Sequence, residues 1–70
     1  MKTYECSFWA ERDRLNLTLS EDGREVFSLW DEAVTEAIED GFLTTPRFAS
    51  SDSAWLPHAI DYAREQGLIE

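Results

Sequence analysis

Residues 24–41 read REVFSLWDEAVTEAIEDG, and the hydrophobic period changes inside this stretch. As far as Leu29, polar and apolar side chains alternate, with Phe27 and Leu29 inward, which is the period of a half-buried strand. From Trp30 onward the apolar residues Trp30, Ala33, Val34, Ala37 and Ile38 fall on one helical face. The spacing predicts a strand over 25–29 leading into a helix. Ser28 or Asp31 can supply the N-cap oxygen, and Gly41 suits the C′ position that ends the helix. Phe42 and Leu43 then fold back as the apolar contact that accompanies such an end.

Upstream, residues 3–10 also alternate, with Tyr4, Cys6, Phe8 and Ala10 on one face and Glu5, Ser7 and Trp9 on the other. The charged cluster Glu11-Arg12-Asp13-Arg14 reads as a turn, and Leu15, Leu17 and Leu19 mark a second strand. Ser20-Glu21-Asp22-Gly23 is a hairpin signal, because Gly23 can take the positive φ that such turns need. Short turns between three strands imply an antiparallel meander.

Downstream, residues 44–54 are small and polar around Pro46 and read as a loop. A second helix is predicted from about Trp55 or Pro57 to Gln66. Leu56, Ala59, Ile60 and Ala63 form its buried stripe, Pro57 sits in its first turn, and Gly67 followed by Leu68-Ile69 closes it. Residues 33–44 and 59–70 share a pattern of Ala, Glu, Gly and apolar positions, which two short helices with glycine stops produce without a repeat architecture. The fold class is α+β: a three-stranded antiparallel β-β-β meander, then two helices packed on one face, in one domain spanning 1–70.

Composition narrows the function classes. The chain has 70 residues, 43% of them apolar, with three Trp, two Tyr and four Phe, so it has bulk to bury despite a net charge of -9. A chain this short has little room for a deep substrate pocket beside its core. One cysteine, Cys6, excludes an internal disulfide and a multi-cysteine zinc site, and it reads as a small buried residue. The first residues contain acids and no long apolar run, so neither a signal peptide nor a membrane span is expected, and the cytoplasm is the expected location. A pI near 4.3 opposes direct binding to nucleic acid or anionic lipid and favours a basic protein surface as partner.

Acids concentrate on the first helix. At 100° per residue, Glu32, Glu36, Glu39 and Asp40 cluster opposite the apolar stripe, and i,i+4 steps space them about 6 Å apart along the axis. Like charges at that spacing oppose helix formation by roughly 0.2–0.5 kcal/mol per pair. Glu39 and Asp40 also lie where the helix dipole favours cations, whereas Asp31 and Glu32 suit the N-terminal end. Folding alone would place bases near residue 40. Glu21 and Asp22 at the hairpin, Glu25, and Asp61 with Glu65 on the second helix can extend the acidic surface. Trp9, pointing away from the Tyr4/Cys6/Phe8 side, is a candidate interface anchor, and Phe48 carries the same ambiguity between anchor and packing.

Catalytic patterns are weak. His58 and Asp61 stand at i,i+3 with Glu65 one turn on, but no nucleophile motif surrounds Cys6 or any serine, and one histidine is a poor metal set. No phosphate-cradling glycine loop is present. The expectation is a non-enzymatic protein with no cofactor and no metal.

The acidic helix DEAVTEAIED (31–40) and the acidic turn SEDGRE (20–25), in a very small α+β chain without motifs, resemble phage-encoded inhibitors of bacterial defence, particularly anti-CRISPR proteins and DNA mimics. That resemblance implies a host-cytoplasmic inhibitor whose acids occupy a lysine- and arginine-lined nucleic-acid site, for example on a CRISPR effector. The residues it implies are Asp31, Glu32, Glu36, Glu39 and Asp40, then Glu21 and Asp22, with Trp9 as a supplementary anchor. Residues 15–41, a strand, a hairpin, a strand and then SLWDEAVTEAIEDG, are similar to HicB-type antitoxin domains. This second resemblance implies neutralisation of a basic toxin nuclease, although the prolines before the helix and the DNA-binding tail of that family are missing.

Overall fold

The structure, a computed structural model, describes residues 2–47 and 52–70. The alternating segments form β1 (Tyr4–Glu11), β2 (Arg14–Glu21) and β3 (Arg24–Trp30), followed by α1 (Glu32–Glu39) and α2 (Asp52–Glu65). The strands make one antiparallel sheet in the order β1-β2-β3. Cys6 faces Leu19 and Phe8 faces Leu17 across one ladder, while Leu17 faces Leu29 and Leu19 faces Phe27 across the other. Facing residues share a side of the sheet, so the inward set predicted from the alternation lies on one face. A bulge at Leu19/Ser20 shifts the β2–β3 register and takes up one extra residue on β3.

Both hairpins turn over two residues. Asp22 and Gly23 have φ of 51° and 85°, the paired positive values of a primed hairpin turn, whose twist matches the strands. The turn between β1 and β2 places Arg12 at φ 43°. No glycine stands there, so the arginine carries left-handed strain.

Both helices cover the inward face. Leu17, Leu19, Phe27, Val34, Ala37, Leu43, Trp55, Ala59 and Ala63 are the buried core. Fully burying a side chain such as Leu17 or Leu19 is worth about 1.5–3 kcal/mol. Ala59 and Ala63 are both 0% exposed, and their small size lets α2 lie close to the sheet. The Trp55 ring stacks on Phe8 at 4.2 Å, and Tyr62 meets Phe27 edge-on at 5.1 Å. The Trp55 indole N–H is buried without a hydrogen-bond partner among the described residues, a desolvation cost that its stacking must offset.

Several expectations need correction. Trp30 is not on the buried helical face: it ends β3, 46% exposed. Ala33 is exposed and Ile38 is 37% exposed, leaving Val34 and Ala37 as the buried pair of α1. The helix starts two residues later than the apolar spacing suggested, because β3 keeps its extended pairing through Trp30. Asp31 stands at the N-cap position, but its side chain makes no cap bond. Pro57 is not in the first turn of α2, which begins at Asp52 and contains the proline. Its ring points to an exposed flank, and the lost amide donor is tolerated because tertiary packing of Trp55, Ala59 and Ala63 holds the helix.

Gly41 ends α1 as expected, at φ 80°, with the Phe42 and Leu43 amides both donating to the Ala37 carbonyl at 3.0 Å. Only Leu43 then folds in; Phe42 remains 52% exposed. Gly67 closes α2 at φ 74°, with the Leu68 amide donating to the Ala63 carbonyl at 2.9 Å. Of the expected loop over 44–54, residues 52–54 are helical, and 48–51, including Phe48, lie outside the described residues.

Candidate functional site

The junction of β3 and α1 builds the most distinctive site. Asp31 adopts φ 47° and ψ -112°, a left-handed value for a residue with a side chain, and this pivot turns the chain from strand to helix. Its amide donates to the Leu15 carbonyl at 2.9 Å. Its Oδ1 accepts the Leu15 amide at 2.9 Å, and both carboxylate oxygens accept Arg14 Nε at 3.0 Å. The Leu15 amide, and then Arg14, hold the Asp31 carboxyl below its usual range against the opposing effect of desolvation. Asp31 is thus engaged in closing the end of the sheet.

Beside it lies a shallow groove of about 280 Å³ lined by Asp13, Leu15, Asp31, Glu32, Thr35 and Glu36. Leu15 gives it an apolar floor, and four carboxylates rim it. The helical row of Glu32 and Glu36 continues to Glu39 one turn on, with Asp40 at the C-cap and no base in the last turn. Glu32, Glu36, Glu39 and Asp40 are all exposed. Such a groove attracts an ammonium or guanidinium group, with the leucine taking its alkyl stem. Asp13 and Leu15 join the site through the fold of the β1–β2 hairpin, and sequence reasoning missed both. The only signal for Asp13 was its place in a charged turn.

The hairpin acids do not join this row. Glu21 pairs with Arg24 at one end of the β2–β3 ladder, whereas Asn16 pairs with Trp30 at the end where α1 begins. Glu21 accepts the Tyr4 hydroxyl at 2.8 Å and lies 3.7 Å from the Lys2 ammonium. The bond to Glu21 is the main cause of a raised Tyr4 pKa. Asp22 repeats the pattern of Asp31 at φ 51°: its Oδ1 accepts the Thr3 amide and its own amide donates to the Thr3 carbonyl, both at 2.8 Å. Glu21 and Asp22 therefore serve the sheet edge first.

Among the described residues, nothing packs over the sheet face opposite the helices. Trp9 and Trp30 meet there edge-on at 5.6 Å, leaning over Asn16 from the flanking strands. Asn16 is only 4% exposed. Its Nδ2 donates to Ser28 Oγ and to the Leu29 carbonyl, and its Oδ1 accepts the Thr18 hydroxyl. Since Thr18 donates to Asn16, the 3.0 Å contact between Thr18 and Ser28 has Ser28 as donor, closing a ring of three side chains. The Arg14 guanidinium lies 5.5 Å above the Trp30 ring, so the open face and the acidic groove meet at Arg14.

The remaining candidates are quieter. Among the described residues no cluster of His, Cys, Asp and Glu is placed to hold a metal ion. His58 Nδ1 lies 2.7 Å from Thr44 Oγ1, and Asp61 pairs with Arg64 at 3.7 Å. A cleft of about 420 Å³ between the end of α1 and α2 is lined by Phe42, Asp61, Arg64 and Glu65, among others, with the arginine and its aspartate already paired. Cys6 is half-buried, and burial, assisted by Asp52, pushes its thiol up to about 11, which makes it a poor nucleophile. No described helix is long and apolar enough to cross a membrane. No family model, characterised protein or solved structure matches the chain.

Proposed function

We propose that this chain is a non-enzymatic inhibitor that binds a basic, nucleic-acid-binding protein surface and blocks access of DNA or RNA to it, in the manner of anti-CRISPR proteins. The observation that carries the reading is the pair Glu32 and Glu36 on α1, which with Asp13 rims a groove lined by Leu15, the helical row running on to Glu39 outside it. These carboxylates are exposed, and Glu39, at the helix end where the dipole favours cations, works against helix stability, unlike Asp22 and Asp31, which have structural work. Carboxylates spaced about 6 Å apart along α1 would replace phosphates in a cationic groove of the partner, and complementarity would act mainly on association rate and specificity.

A second reading, an antitoxin-like module neutralising a basic toxin nuclease, draws on the order of β2, β3 and α1, a hairpin leading into an acidic helix. The same acids would serve it.

The test is binding to a guide-loaded bacterial CRISPR effector, with and without its duplex DNA target. The reading predicts an affinity that falls steeply with salt, competition by duplex DNA, and at least a tenfold loss on Glu32→Lys with Glu36→Lys. Simultaneous binding of protein and duplex would reject the blocking mechanism. Retention on a small basic nuclease and on no effector would favour the antitoxin reading.

A further inference from the structure

Arg14 shows how this protein holds a guanidinium: over the Trp30 ring, 5.5 Å from its centroid, with Nε on both oxygens of Asp31 at 3.0 Å. An aromatic face and a carboxylate together fit the planar, five-donor guanidinium better than an ammonium. The same two ingredients recur on β1. Trp9 is 37% exposed on the open sheet face, and Glu11, two residues on along the strand, projects from that same face. Glu11 stands opposite Arg14 in the ladder. Yet Arg14 is turned to Asp31, and Glu11 forms no ion pair among the described residues. Trp9 and Glu11 thus offer a ring and a carboxylate without a cation.

The surroundings suit docking. Next to Trp9, the central positions Ser7, Asn16, Thr18 and Ser28 carry no charge in a chain of net charge -9. Three of them satisfy one another in the closed hydrogen-bond ring, so covering them strands no polar group. Glu5 and Glu25 lie beyond, at the far end of the same face. A neutral aromatic centre with Glu5, Glu11 and Glu25 around it, and the base Arg14 held on Asp31, is the layout of an interface that anchors on aromatics and selects by charge. A second copy of the chain would set these glutamates against their own kind, whereas a basic partner complements them.

We infer that the open sheet face is a second docking surface, on which an arginine of a basic protein partner stacks on Trp9 and bonds Glu11, copying the internal Arg14–Trp30–Asp31 arrangement. The inference rests on the proposed basic partner but on a different face from the α1 groove, so the two can fail separately.

The test titrates the full chain with a short Arg-Gly-Ser repeat peptide and its Lys-Gly-Ser counterpart, following the indole N–H resonances by NMR. Trp55, buried on the helix side, reports folding in every variant. The expected result is that the arginine peptide moves the Trp9 indole and leaves Trp55 unmoved. Trp9→Ala and Glu11→Gln should each weaken its binding about tenfold, Trp9→Phe should keep most of it, and the lysine peptide should bind several-fold more weakly. Equal effects of the two peptides at Trp9, or an unmoved Trp9 indole, would overturn the inference. Loss only on Glu32→Gln with Glu36→Gln would overturn it while leaving the groove reading standing; no binding at either face would count against both. A Trp9 shift that depends on protein concentration without peptide would assign the face to a second copy and reject the arginine partner.

Discussion

Asp31 and Leu15 hold each other in both directions: the Asp31 amide donates to the Leu15 carbonyl, and the Leu15 amide donates to Asp31 Oδ1, each at 2.9 Å. One residue thereby ends the β2–β3 ladder, turns the chain at φ 47° and anchors Arg14. Its carboxylate is stabilised in the charged form by those donors, so its folded pKa lies below the unfolded value. The resulting stability is present above the ordinary carboxylate pKa, about 3.9, and is lost as pH falls through the lower folded value. Asp31→Asn should therefore be less stable than the parent at neutral pH in urea melts, and the gap should close below about pH 4. A gap of constant size from pH 7 to pH 2.5 would contradict this account.

The ring of Asn16, Thr18 and Ser28 predicts a buried-polar effect on the open side of the sheet. Asn16→Ala removes the donor to Ser28 and Leu29 and the acceptor of Thr18. The cost should be about 1–3 kcal/mol in denaturant melts. Ser7→Ala, at an exposed position of the same face, should change stability by less than about 0.5 kcal/mol.

Close approach of α2 to the sheet depends on small residues. Ala63→Leu should destabilise by about 1–3 kcal/mol through overpacking at a site with no exposed area. Leu17→Ala should cost about 2–5 kcal/mol by leaving a cavity under α2. If Ala63→Leu were neutral in thermal melts, α2 would have to sit farther from β1 and β2 than described.

Acids at the end of α1 predict a trade between folding and binding. Glu39→Lys with Asp40→Lys should stabilise the fold by a few tenths of a kcal/mol, through the helix dipole and removal of like-charge pairs. The same change should weaken binding to a basic partner. A rise in thermal midpoint with undiminished binding would remove this end of the helix from the interface.

Cys6 should be slow to alkylate. With its thiol pushed up to about 11, the thiolate at pH 8 is roughly two orders of magnitude scarcer than in the unfolded chain. Iodoacetamide labelling should accelerate by about that factor in denaturing urea. Equal rates in the two conditions would show that β1 opens freely.

The sequence by itself determined the order of elements and many of the inward residues, though not Trp55, because period two and period 3.6 are local properties that survive packing. Cys6, Phe8, Leu17, Leu19, Val34, Ala37, Ala59 and Ala63 all lie where their spacing puts them. It also located the glycine stops at Gly41 and Gly67, since only a residue without a Cβ takes that φ at no cost. The site was half legible. The exposed row Glu32, Glu36, Glu39 and Asp40 followed from helical geometry, whereas the roles of Glu21, Asp22 and Asp31 did not. Those acids bond Tyr4, Thr3 and Leu15, partners 16 or more positions away, and no local pattern records such pairings. Trp30 changed sides for the same reason: cross-strand pairing with Asn16 outweighed its helical spacing. Tertiary structure alone decided which carboxylates hold the sheet together and which face outward without a partner among the described residues.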